Sequence, residues 1–288
     1  MTQDRLRLGL IGYPLEHSFS PRLHLAALRA CGLNGEYRLY PIPPGLDRGE
    51  KLKELLDSLR RGEVKGLNVT IPLKQEIMPY LDELAPAARA IGAVNTISGG
   101  DGLLFGDNTD APGFLADLRR LEFFREGRPA TALILGAGGA ARAVVHALHQ
   151  AGWQVIVAAR RVEQARELVD ELHAIRFTPV ALRDALEAIS DWRSALTLIV
   201  NTTPLGMAPW METSPWPEAL PFPEGVFVYD LVYNPAQTLF IQRARRAGLK
   251  AANGLGMLVE QAALSFERWT GLDAPRAELR NAILEFQG

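Results

Sequence analysis

The stretch Thr131-Ala132-Leu133-Ile134-Leu135-Gly136-Ala137-Gly138-Gly139-Ala140-Ala141 decides the fold of this chain. Residues 131–135 form an apolar run, which is typical of a parallel strand that helices cover on both faces. The glycines predict a turn, and an apolar helical pattern follows over residues 140–150. A strand, a glycine turn and a helix in this order, with the spacing Gly-x-Gly-x-x-Ala, match the fingerprint of a dinucleotide-binding α/β unit.

The small residues of this turn each have a use if a dinucleotide binds there. Gly136 permits the tight turn, Gly138 lets the backbone approach a pyrophosphate, and Ala141 lets the helix lie close to the strand. The free N–H groups at the start of the helix favour an anion. We therefore predict a nucleotide-binding turn. The alternative is a turn that serves only the packing of the helix on the strand.

The end of the next predicted strand indicates which dinucleotide the turn would hold. An NAD site usually has Asp or Glu at this point, where the carboxylate accepts a hydrogen bond from the ribose 2′-OH. This chain has Ala159-Arg160-Arg161 instead. Two arginines without an acidic residue at the strand end suit a 2′-phosphate, so the pattern favours NADP as the cofactor. The alternative is a pair of solvent-exposed surface arginines.

Strands and helices alternate along the rest of the chain. Strands are predicted at residues 6–11, 37–40, 66–70, 94–97, 103–105, 131–135, 154–158, 196–201, 226–231 and 251–252. Helices are predicted at residues 21–30, 46–59, 113–124, 140–150, 162–173, 236–246, 257–269 and 277–286, with an alanine-rich helix before residue 94. This alternation predicts the α/β class with two parallel-sheet units. The stretch 208–224, with five prolines and two tryptophans, is expected to be a long surface loop.

Composition excludes several classes of protein. The 288 residues carry 31 Lys and Arg against 33 Asp and Glu, which argues against a general nucleic-acid binder. The single cysteine, Cys31, excludes an intramolecular disulfide and a cysteine-based metal site, and no metal is expected. No window approaches the roughly 20 apolar residues that a membrane helix needs, and the first residues do not read as a secretory signal. We therefore expect a cytoplasmic protein.

Polar residues follow several predicted strands of the first hundred residues, where open α/β sheets bind their ligands. Ser18 and Ser20 bracket a helix start that could hold a carboxylate, although Ser20 could serve only as a helix cap. Lys74 is one of five lysines against 26 arginines, and lysine, unlike arginine, can transfer a proton. With Asp110 it could manage the proton of an alcohol while a hydride moves to a nicotinamide. The alternative for Lys74 is an ordinary exposed lysine on a short helix.

The motifs that carry chemistry occur in one order along nearly the whole chain. They are Gly-Tyr-Pro…His-Ser-x-Ser-Pro-x-x-His at 12–24, Asn-Val-Thr-x-Pro-x-Lys at 68–74, Ala-Val-Asn-Thr at 93–96, Asn-Thr-Asp-x-x-Gly at 108–113, the glycine turn at 136–141, Asn-Thr-Thr-Pro-Leu-Gly-Met at 201–207, Tyr-Asp-Leu-Val-Tyr at 229–233, Gly-Leu-Gly-Met-Leu-Val-Glu-Gln at 254–261 and Trp-Thr-Gly at 269–271. In this ordered set the chain resembles the shikimate dehydrogenase family.

The resemblance implies a role for each matching position. Lys74 would be the catalytic residue, paired with Asp110 at the reacting 3-hydroxyl. Ser18 and Ser20 would bind the substrate carboxylate. The other residues implied to bind and orient the substrate are Thr70, Asn95, Asp110, Tyr233 and Gln261. The residues implied to bind NADP are Gly136, Ala137, Gly138, Gly139 and Ala140 at the pyrophosphate, Arg160 and Arg161 at the 2′-phosphate, and Leu231, Gly254 and Met257 near the nicotinamide.

The resemblance also implies an architecture and a reaction. An N-terminal α/β substrate-binding domain, residues 1–110 completed by C-terminal helices in 256–288, would accompany a Rossmann-type NADP-binding domain at 111–255, with the active site in the cleft between them. The reaction would be the reversible reduction of 3-dehydroshikimate by NADPH in aromatic amino-acid (chorismate) biosynthesis. The implied partners are the small-molecule substrate and, as a candidate, a second copy of the chain in a homodimer, with neither nucleic acid nor membrane.

Two alternative functions stay open at the level of sequence. One is a quinate/shikimate dehydrogenase with a broader substrate range or with NAD as cofactor. The family usually has Asn-Arg-Thr or Asn-Arg-Ser where this chain has Ala159-Arg160-Arg161, so the cofactor is less firmly indicated than the reaction. The other is a non-catalytic nucleotide-binding sensor, against which the intact Lys74 and Asp110 argue. His146 and His149 have a spacing that can bind a metal, but we expect ordinary surface histidines.

Overall fold

The computed structural model describes residues 5–121, 130–172, 177–181 and 196–287. The chain divides into two compact units, each of which contains one six-stranded sheet. The first unit is Met1–Gly113 with Leu258–Gly288, and the second is Phe114–Met257. The predicted α/β class with two units is confirmed.

The first unit contains a mixed sheet. In chain order its elements are β1 (Leu6–Gly12), α1 (Ser20–Ala30), β2 (Gly35–Pro41), α2 (Arg48–Arg60), β3 (Gly66–Val69), α3 (Leu73–Glu76), a 3₁₀ turn (Met78–Tyr80), β4 (Glu83–Leu84), α4 (Pro86–Ile91), β5 (Thr96–Gly100), β6 (Leu103–Asp107) and the start of α5 (Asp110–Arg120). The strand order is β2-β1-β3-β5-β6-β4. Strands β1, β2 and β3 are parallel, whereas β5 is antiparallel to both β3 and β6. The prediction of a parallel sheet is therefore wrong for this unit, because β5 and β6 pair as a hairpin.

Apolar side chains from the strands and from α2 form the core of this unit. Strand β1 buries Leu8 and Ile11, and α2 buries its apolar face, including Leu52, Leu56 and Leu59, at the helical spacing seen in the sequence. A late helix, α9 (Leu255–Thr270), completes the unit, and its Trp269 donates a hydrogen bond from Nε1 to the Ile97 carbonyl at 3.0 Å. A side chain at Gly66 would collide with the Trp269 ring, so the glycine lets this helix approach β3. The final helix, α10 (Arg276–Gln287), packs against α1.

The second unit is a parallel sheet. Its elements are β7 (Thr131–Leu135), α6 (Gly139–Gln150), β8 (Gln154–Ala159), α7 (Val162–Glu171), β9 (Phe177–Ala181), β10 (Leu196–Asn201), β11 (Phe227–Asp230), α8 (Leu239–Arg246) and β12 (Ala251–Asn253). The strand order β12-β11-β10-β7-β8-β9 is the doubly wound order of dinucleotide-binding folds, and its switch point lies between β7 and β10. Because β7 is buried along its whole length, the prediction of a strand covered on both faces is confirmed.

Some element boundaries differ from those predicted. Helix α5 begins at Asp110 rather than at Gly113, and its predicted end at Phe124 lies outside the described residues. Helix α7 ends at Glu171, and the predicted end at 173 also lies outside them. Helix α8 begins three residues later than predicted because Thr238 caps it, with Oγ1 accepting a hydrogen bond from the Ile241 N–H at 3.3 Å. Strands β4 and β9 were not predicted.

The prediction of a surface loop over residues 208–224 is wrong for its middle. The Trp216 side chain is buried to 1% exposure, and its ring stacks on Phe222 with centroids 5.0 Å apart. Phe222 in turn packs against Phe240 of α8. This stretch therefore contributes to the core of the second unit, although Trp210 remains half exposed.

Candidate functional site

Lys74 and Asp110 form an ion pair in the first unit. Lys74 Nζ lies 2.6 Å from Asp110 Oδ2, and the two side chains are only 14% and 6% exposed. Lys74 lies in the short helix α3 that follows β3, and its carbonyl accepts a hydrogen bond from the Val94 N–H at 2.7 Å. Asp110 is the first residue of α5. The pairing predicted for these two residues is therefore present, and Lys74 is not an ordinary exposed lysine.

Asn95 and Gln261 adjoin this pair. Asn95 Nδ2 donates to Asp110 Oδ1 at 2.9 Å and lies 3.4 Å from Gln261 Oε1. Gln261 comes close because α5 and α9 touch at Gly113, where an added Cβ would lie 2.8 Å from the Gln261 backbone nitrogen. The glycine of the Asn-Thr-Asp-x-x-Gly motif thus permits the approach that brings Gln261 beside Asn95. All of these side chains are nearly or fully buried.

Asn108 holds the start of α5, and the sequence interpretation gave it no role of its own. Its Oδ1 accepts from the backbone N–H groups of Asp110 at 3.1 Å and Ala111 at 3.2 Å, while its Nδ2 donates to the Ala93 carbonyl at 2.9 Å. The side chain therefore caps the helix whose first residue is Asp110 and ties it to the segment before Asn95. An Asn that accepts from the N–H groups two and three residues further on makes the bonds of a helix cap, and Asn is a preferred residue there, so the sequence contained this signal.

Ser18, Ser20 and Thr70 follow the carboxyl ends of two parallel neighbours, β1 and β3. Ser20 is buried and is the first residue of α1, whose N-cap position is Phe19, so Ser20 is not the helix cap that the sequence left open. The Ser20 N–H instead donates to Ser18 Oγ at 3.3 Å. The half-buried Thr70 donates its N–H to the Ile11 carbonyl at 2.9 Å, and its methyl leaves no room for a side chain at Gly12.

The glycine turn of the second unit has the geometry that the fingerprint requires. Gly136 has φ +118°, and an added Cβ would lie 2.6 Å from Thr202 Oγ1, so only glycine fits there. The exposed Gly138 precedes α6, and an added Cβ would meet open space on this side. The N-cap of α6 is Gly138, a residue without a side chain to cap the first N–H groups of the helix, and N–H groups at a helix start favour an anion. The turn lies where β7 meets β10, at the switch point of the sheet.

The other predicted cofactor residues follow β8 and β11. Arg160 and Arg161 are exposed directly after β8, and Arg161 precedes the first residue of α7. Leu231 follows β11, and its N–H donates to the Asn201 carbonyl at 2.9 Å. A side chain at Gly254 would collide with the Leu231 carbonyl oxygen, so this glycine allows two backbone segments to touch. Met257 is nearly buried at the start of α9, whereas Tyr233 is half-buried.

Asp230 is a buried carboxylate that the sequence interpretation did not single out. It accepts hydrogen bonds from Asn201 Nδ2 at 2.8 Å, the Val232 N–H at 3.0 Å and Thr238 Oγ1 at 2.6 Å. Burial raises the pKa of Asp230 to about 6, although these three donors oppose the shift. The carboxylate thereby holds the turn that carries Leu231 and joins it to the cap of α8.

A second buried carboxylate, Asp117, lies beside the start of α9. Tyr229 Oη donates to Asp117 Oδ2 at 2.7 Å, and Arg120 Nε donates to Oδ1 at 2.9 Å. Burial, and then the charge of Asp117, raise the pKa of Tyr229 well above its usual value, so the phenol stays protonated. Only a glycine fits at position 256, because any side chain would collide with the Asp117 carboxylate. Asp117 therefore fixes the turn of helix that contains Met257.

The sequence predicts surface histidines at positions 146 and 149. In the structure the side chains of His146 and His149 on α6 are half-buried instead. Burial, with a smaller effect of the neighbouring His149, lowers the pKa of His146. Within the described ranges, no three His, Cys, Asp or Glu side chains cluster in a way that could hold a metal ion. No helix in the same ranges has the length and apolar character needed to cross a membrane.

Comparison with known families covers most of the chain. Residues 10–97 match the shikimate dehydrogenase substrate binding domain, residues 121–218 match the shikimate / quinate 5-dehydrogenase family, and residues 254–284 match the shikimate 5'-dehydrogenase C-terminal domain. The three matches follow one another in the order that the sequence motifs predicted.

Three individual proteins are similar to this chain over nearly its whole length. The shikimate dehydrogenase (NADP(+)) of Carboxydothermus hydrogenoformans is 40% identical over 96% of this chain and 95% of its own length. A crystal structure of shikimate 5-dehydrogenase from Thermus thermophilus, in complex with NADP(H) and shikimate, is 40% identical, covers 97% of this chain and 99% of its own, and gives a TM-score of 0.83. A quinate dehydrogenase from Corynebacterium glutamicum in complex with NAD is 32% identical, covers 98% and 99%, and gives a TM-score of 0.84.

These matches extend over nearly the full length of the chain and of its relatives, and they agree with the doubly wound second unit and with the pairing of Lys74 and Asp110. The chain therefore belongs to the shikimate dehydrogenase family.

Proposed function

We propose that this protein is an NADP-dependent oxidoreductase that interconverts shikimate and 3-dehydroshikimate in aromatic amino-acid (chorismate) biosynthesis. The single observation that carries the proposal is the Lys74–Asp110 pair, whose 2.6 Å contact lies in a nearly buried site beside Asn95 and Gln261. A protein that only sensed nucleotides would have no use for an ammonium and a carboxylate arranged to handle a proton.

Lys74 and Asp110 manage the proton of the reacting hydroxyl. In the direction of reduction, the Lys74 ammonium donates a proton to the oxygen on substrate carbon 3, and Asp110 holds that ammonium in place. In the direction of oxidation, the same pair takes the proton back as the carbonyl forms. NADPH, when bound, supplies the hydride that carbon 3 receives. The balanced reduction therefore consumes one hydride and one proton for each carbonyl.

The remaining substrate residues bind and orient the ring. Ser18 and Ser20 bind the substrate carboxylate, which their position at the start of α1 supports. The residues that contact the hydroxyls and fix the ring are Thr70, Asn95, Asp110, Tyr233 and Gln261. Hydrogen bonds from buried amides discriminate strongly between substrates, because a missing hydroxyl would leave a buried polar group unpaired.

NADP binds to the second unit in this proposal. The residues at the pyrophosphate are Gly136, Ala137, Gly138, Gly139 and Ala140, which the uncapped start of α6 and the open space at Gly138 support. Arg160 and Arg161 bind the 2′-phosphate, in keeping with their exposure at the end of β8. Leu231, Gly254 and Met257 lie near the nicotinamide and its ribose.

We assign the substrate-binding domain to residues 1–110 with 256–288, and the NADP-binding domain to residues 111–255. The cytoplasm is the compartment we propose, since a chain with one cysteine suits a reducing environment.

We further propose a homodimer. Two exposed leucines, Leu284 on α10 and Leu272 shortly before this helix, offer apolar contacts for it. Light scattering tests the assembly, and a mass equal to the 31.6 kDa of one chain would contradict it.

Quinate oxidation or NAD use is the alternative function. It is favoured by the departure at Ala159-Arg160-Arg161 and by the likeness to an NAD-bound quinate dehydrogenase. Initial rates at 340 nm decide between the two, with shikimate or quinate as substrate and NADP or NAD as cofactor. We expect a strong preference for shikimate with NADP. Comparable rates with quinate or with NAD would assign the protein to the broader enzyme instead.

Substitution of Lys74 tests the catalytic assignment. We expect Lys74→Ala to lower kcat about 10²- to 10⁴-fold while NADP affinity changes little, because the proton donor is lost and the second unit is untouched. Lys65→Ala is the matched control, since Lys65 is an exposed lysine of the same unit, and its kcat should stay near that of the unsubstituted protein. Turnover by Lys74→Ala at the level of the control would refute the assignment.

A further inference from the structure

A chain of buried hydrogen bonds runs behind the Lys74–Asp110 pair, within the first unit. Its links, in order, are Tyr37 Oη to Asn68 Oδ1 at 2.8 Å, Asn68 Nδ2 to Ser265 Oγ at 2.9 Å, Ser265 Oγ to Thr96 Oγ1 at 2.8 Å, Thr96 Oγ1 to Asn95 Oδ1 at 3.0 Å, and Asn95 Nδ2 to Asp110 Oδ1 at 2.9 Å. Every one of these residues is buried. The chain ends on the carboxylate that holds Lys74.

Hydrogen bonds to their side-chain oxygens set the orientations of the two amides of the chain. Because the Tyr37 hydroxyl donates to Asn68 Oδ1, the Asn68 amide turns its Nδ2 toward Ser265. Because the Thr109 N–H and the Thr96 hydroxyl both donate to Asn95 Oδ1, at 2.7 and 3.0 Å, the Asn95 amide turns its Nδ2 toward Asp110. An Asn95 amide in the opposite orientation would place its oxygen against the Asp110 carboxylate and repel it.

Ser265 joins the two halves of this chain. Its Oγ accepts from Asn68 and lies within hydrogen-bonding distance of both Thr96 and Thr109, whose Oγ1 is 3.2 Å away. Its one proton is donated either to Thr96 or to the Gln261 carbonyl, which lies 2.9 Å away, one turn earlier on α9. The residue is fully buried, so no water can replace the hydroxyl without a cavity.

We infer that Ser265 is a positioning residue for the dehydrogenase reaction, acting through Thr96 and Asn95 to hold Asp110 in line with Lys74. This inference rests on the proposed function. Without the Ser265 hydroxyl, Asn68 loses an acceptor, and the Thr96 and Thr109 hydroxyls beside the Asn95 amide lose a shared partner. The Thr109 N–H still sets the orientation of the Asn95 amide, but the amide is then held less firmly against Asp110. Asp110 then shifts, and small displacements of catalytic groups lower kcat strongly. NADP binding, in the second unit, should not change.

Two substitutions break the chain at different links. Ser265→Ala removes the central hydroxyl, and Thr96→Val removes the next one while keeping the shape of the side chain. We expect each to lower kcat for shikimate oxidation about tenfold or more, with the KM for NADP within about twofold of the unsubstituted value. Because the two hydroxyls act as one chain, the double variant should lose no more than the worse single variant.

Two further variants serve as controls. Thr96→Ser keeps the hydroxyl and should retain kcat within about twofold, which is the rescue expected of a hydrogen-bonding role. Thr270→Val removes a hydroxyl from the same helix α9 that donates to the Phe266 carbonyl at 2.8 Å, outside the chain, and should also retain kcat within about twofold. Thermal unfolding of each variant shows whether it is folded. If Ser265→Ala fails to fold, the Thr96→Val and Thr96→Ser pair carries the test.

The outcomes separate this inference from the proposed function. If the wild type turns over shikimate, and folded Ser265→Ala and Thr96→Val have the same kcat as the wild type, the positioning role is overturned while the proposed reaction stays intact. If the fold-losses in kcat of the two single variants multiply in the double variant, the two hydroxyls act separately and the inference is overturned. An equal loss of kcat in Thr270→Val would overturn it as well, because a general effect on α9 would then explain the data. Absence of turnover by the wild-type protein with shikimate and NADP would overturn both proposals.

Discussion

His24 should make the first unit sensitive to mild acid. The imidazole is fully buried on α1, stacks on Tyr37 with ring centroids 4.4 Å apart, and lies 5.3 Å from the Trp269 ring. Burial lowers the pKa of His24 from 6.5 to about 3, and the neighbouring Asn68 side chain offsets only part of this shift. The substitution His24→Phe keeps an aromatic ring at this position and removes the titration.

The size and sign of the effect follow from this shift in pKa. Between about pH 6.5 and about pH 3 the unfolded chain binds a proton at His24 that the folded chain does not, so the free energy of unfolding falls as the pH falls. A pKa lowered by about 3.5 units corresponds to a total of about 5 kcal/mol. From about pH 7.5 to about pH 5, where most carboxylates stay ionised, we expect a loss of about 2 kcal/mol.

The assay needs a probe of the first unit alone, because a chain with two units need not unfold in one step. Trp269 is the single tryptophan of the first unit in sequence, so labelling with 5-fluorotryptophan gives one fluorine resonance there. Its loss in Trp269→Phe assigns the signal. Urea titrations at several pH values then give the free energy of unfolding for the wild type and for His24→Phe.

Only the difference in pH dependence between the two proteins is used, so the packing change introduced by the phenyl ring cancels. The wild type should lose about 2 kcal/mol more than His24→Phe between about pH 7.5 and about pH 5. Equal slopes for the two proteins would refute the reasoning, since they would mean that His24 titrates in the same way in the folded and unfolded chain.

Three further predictions follow from buried groups in both units. Burial raises the pKa of Asp230 to about 6, so the wild type should lose up to about 3 kcal/mol of stability in the second unit as the pH rises from about 4 to about 6. Asp230→Asn should abolish this slope in urea titrations read from the Trp153 fluorine signal. Gly113→Ala pushes a methyl against Gln261 and should lower kcat/KM for shikimate about tenfold with an unchanged KM for NADP, measured by initial rates. Trp216→Ala empties a core position and should cost about 3–5 kcal/mol in urea titrations, whereas a surface loop would lose almost nothing.

Much of the fold could be predicted because its signals are local. The apolar run of β7, the glycines after it and the helical spacing of α6 all lie within 20 consecutive residues. Errors arose where tertiary contacts decide the structure. Trp216 lies among prolines that indicate a loop, yet its ring has a place between Phe222 and α8 that no local pattern reveals. The start of α5 moved to Asp110 because the Asn108 side chain caps it.

The sequence predicted some groups of residues in the candidate site better than others. Lys74 and Asp110 could be found from residue type, strand ends and the resemblance, and the structure places them in contact. Asp230 and Asp117 were missed because a carboxylate inside an apolar segment looks the same whether it is buried with partners or turned outward. Ser265 could not be found at all from sequence, since it bonds to Asn68 across 197 positions of the chain.

The buried amides and hydroxyls behind Asp110 are not needed for stability alone. A pair of hydrogen-bonded side chains can often be replaced by apolar side chains of the same shape with little change in stability, because the folded state gains only about 0.5–1.5 kcal/mol from each bond. The hydrogen bonds made at positions 68, 95, 96 and 265 therefore add little stability for the number of polar groups that they bury. Amides and hydroxyls at these positions have an effect that apolar groups lack, because a chain of directed hydrogen bonds holds a carboxylate in one orientation. Both hydroxyls of α9 can donate to a carbonyl of their own helix, but Ser265 also contacts Asn68 and Thr96, whereas the Thr270 hydroxyl accepts from the Leu272 N–H. This contrast is why the two hydroxyls should respond differently to removal.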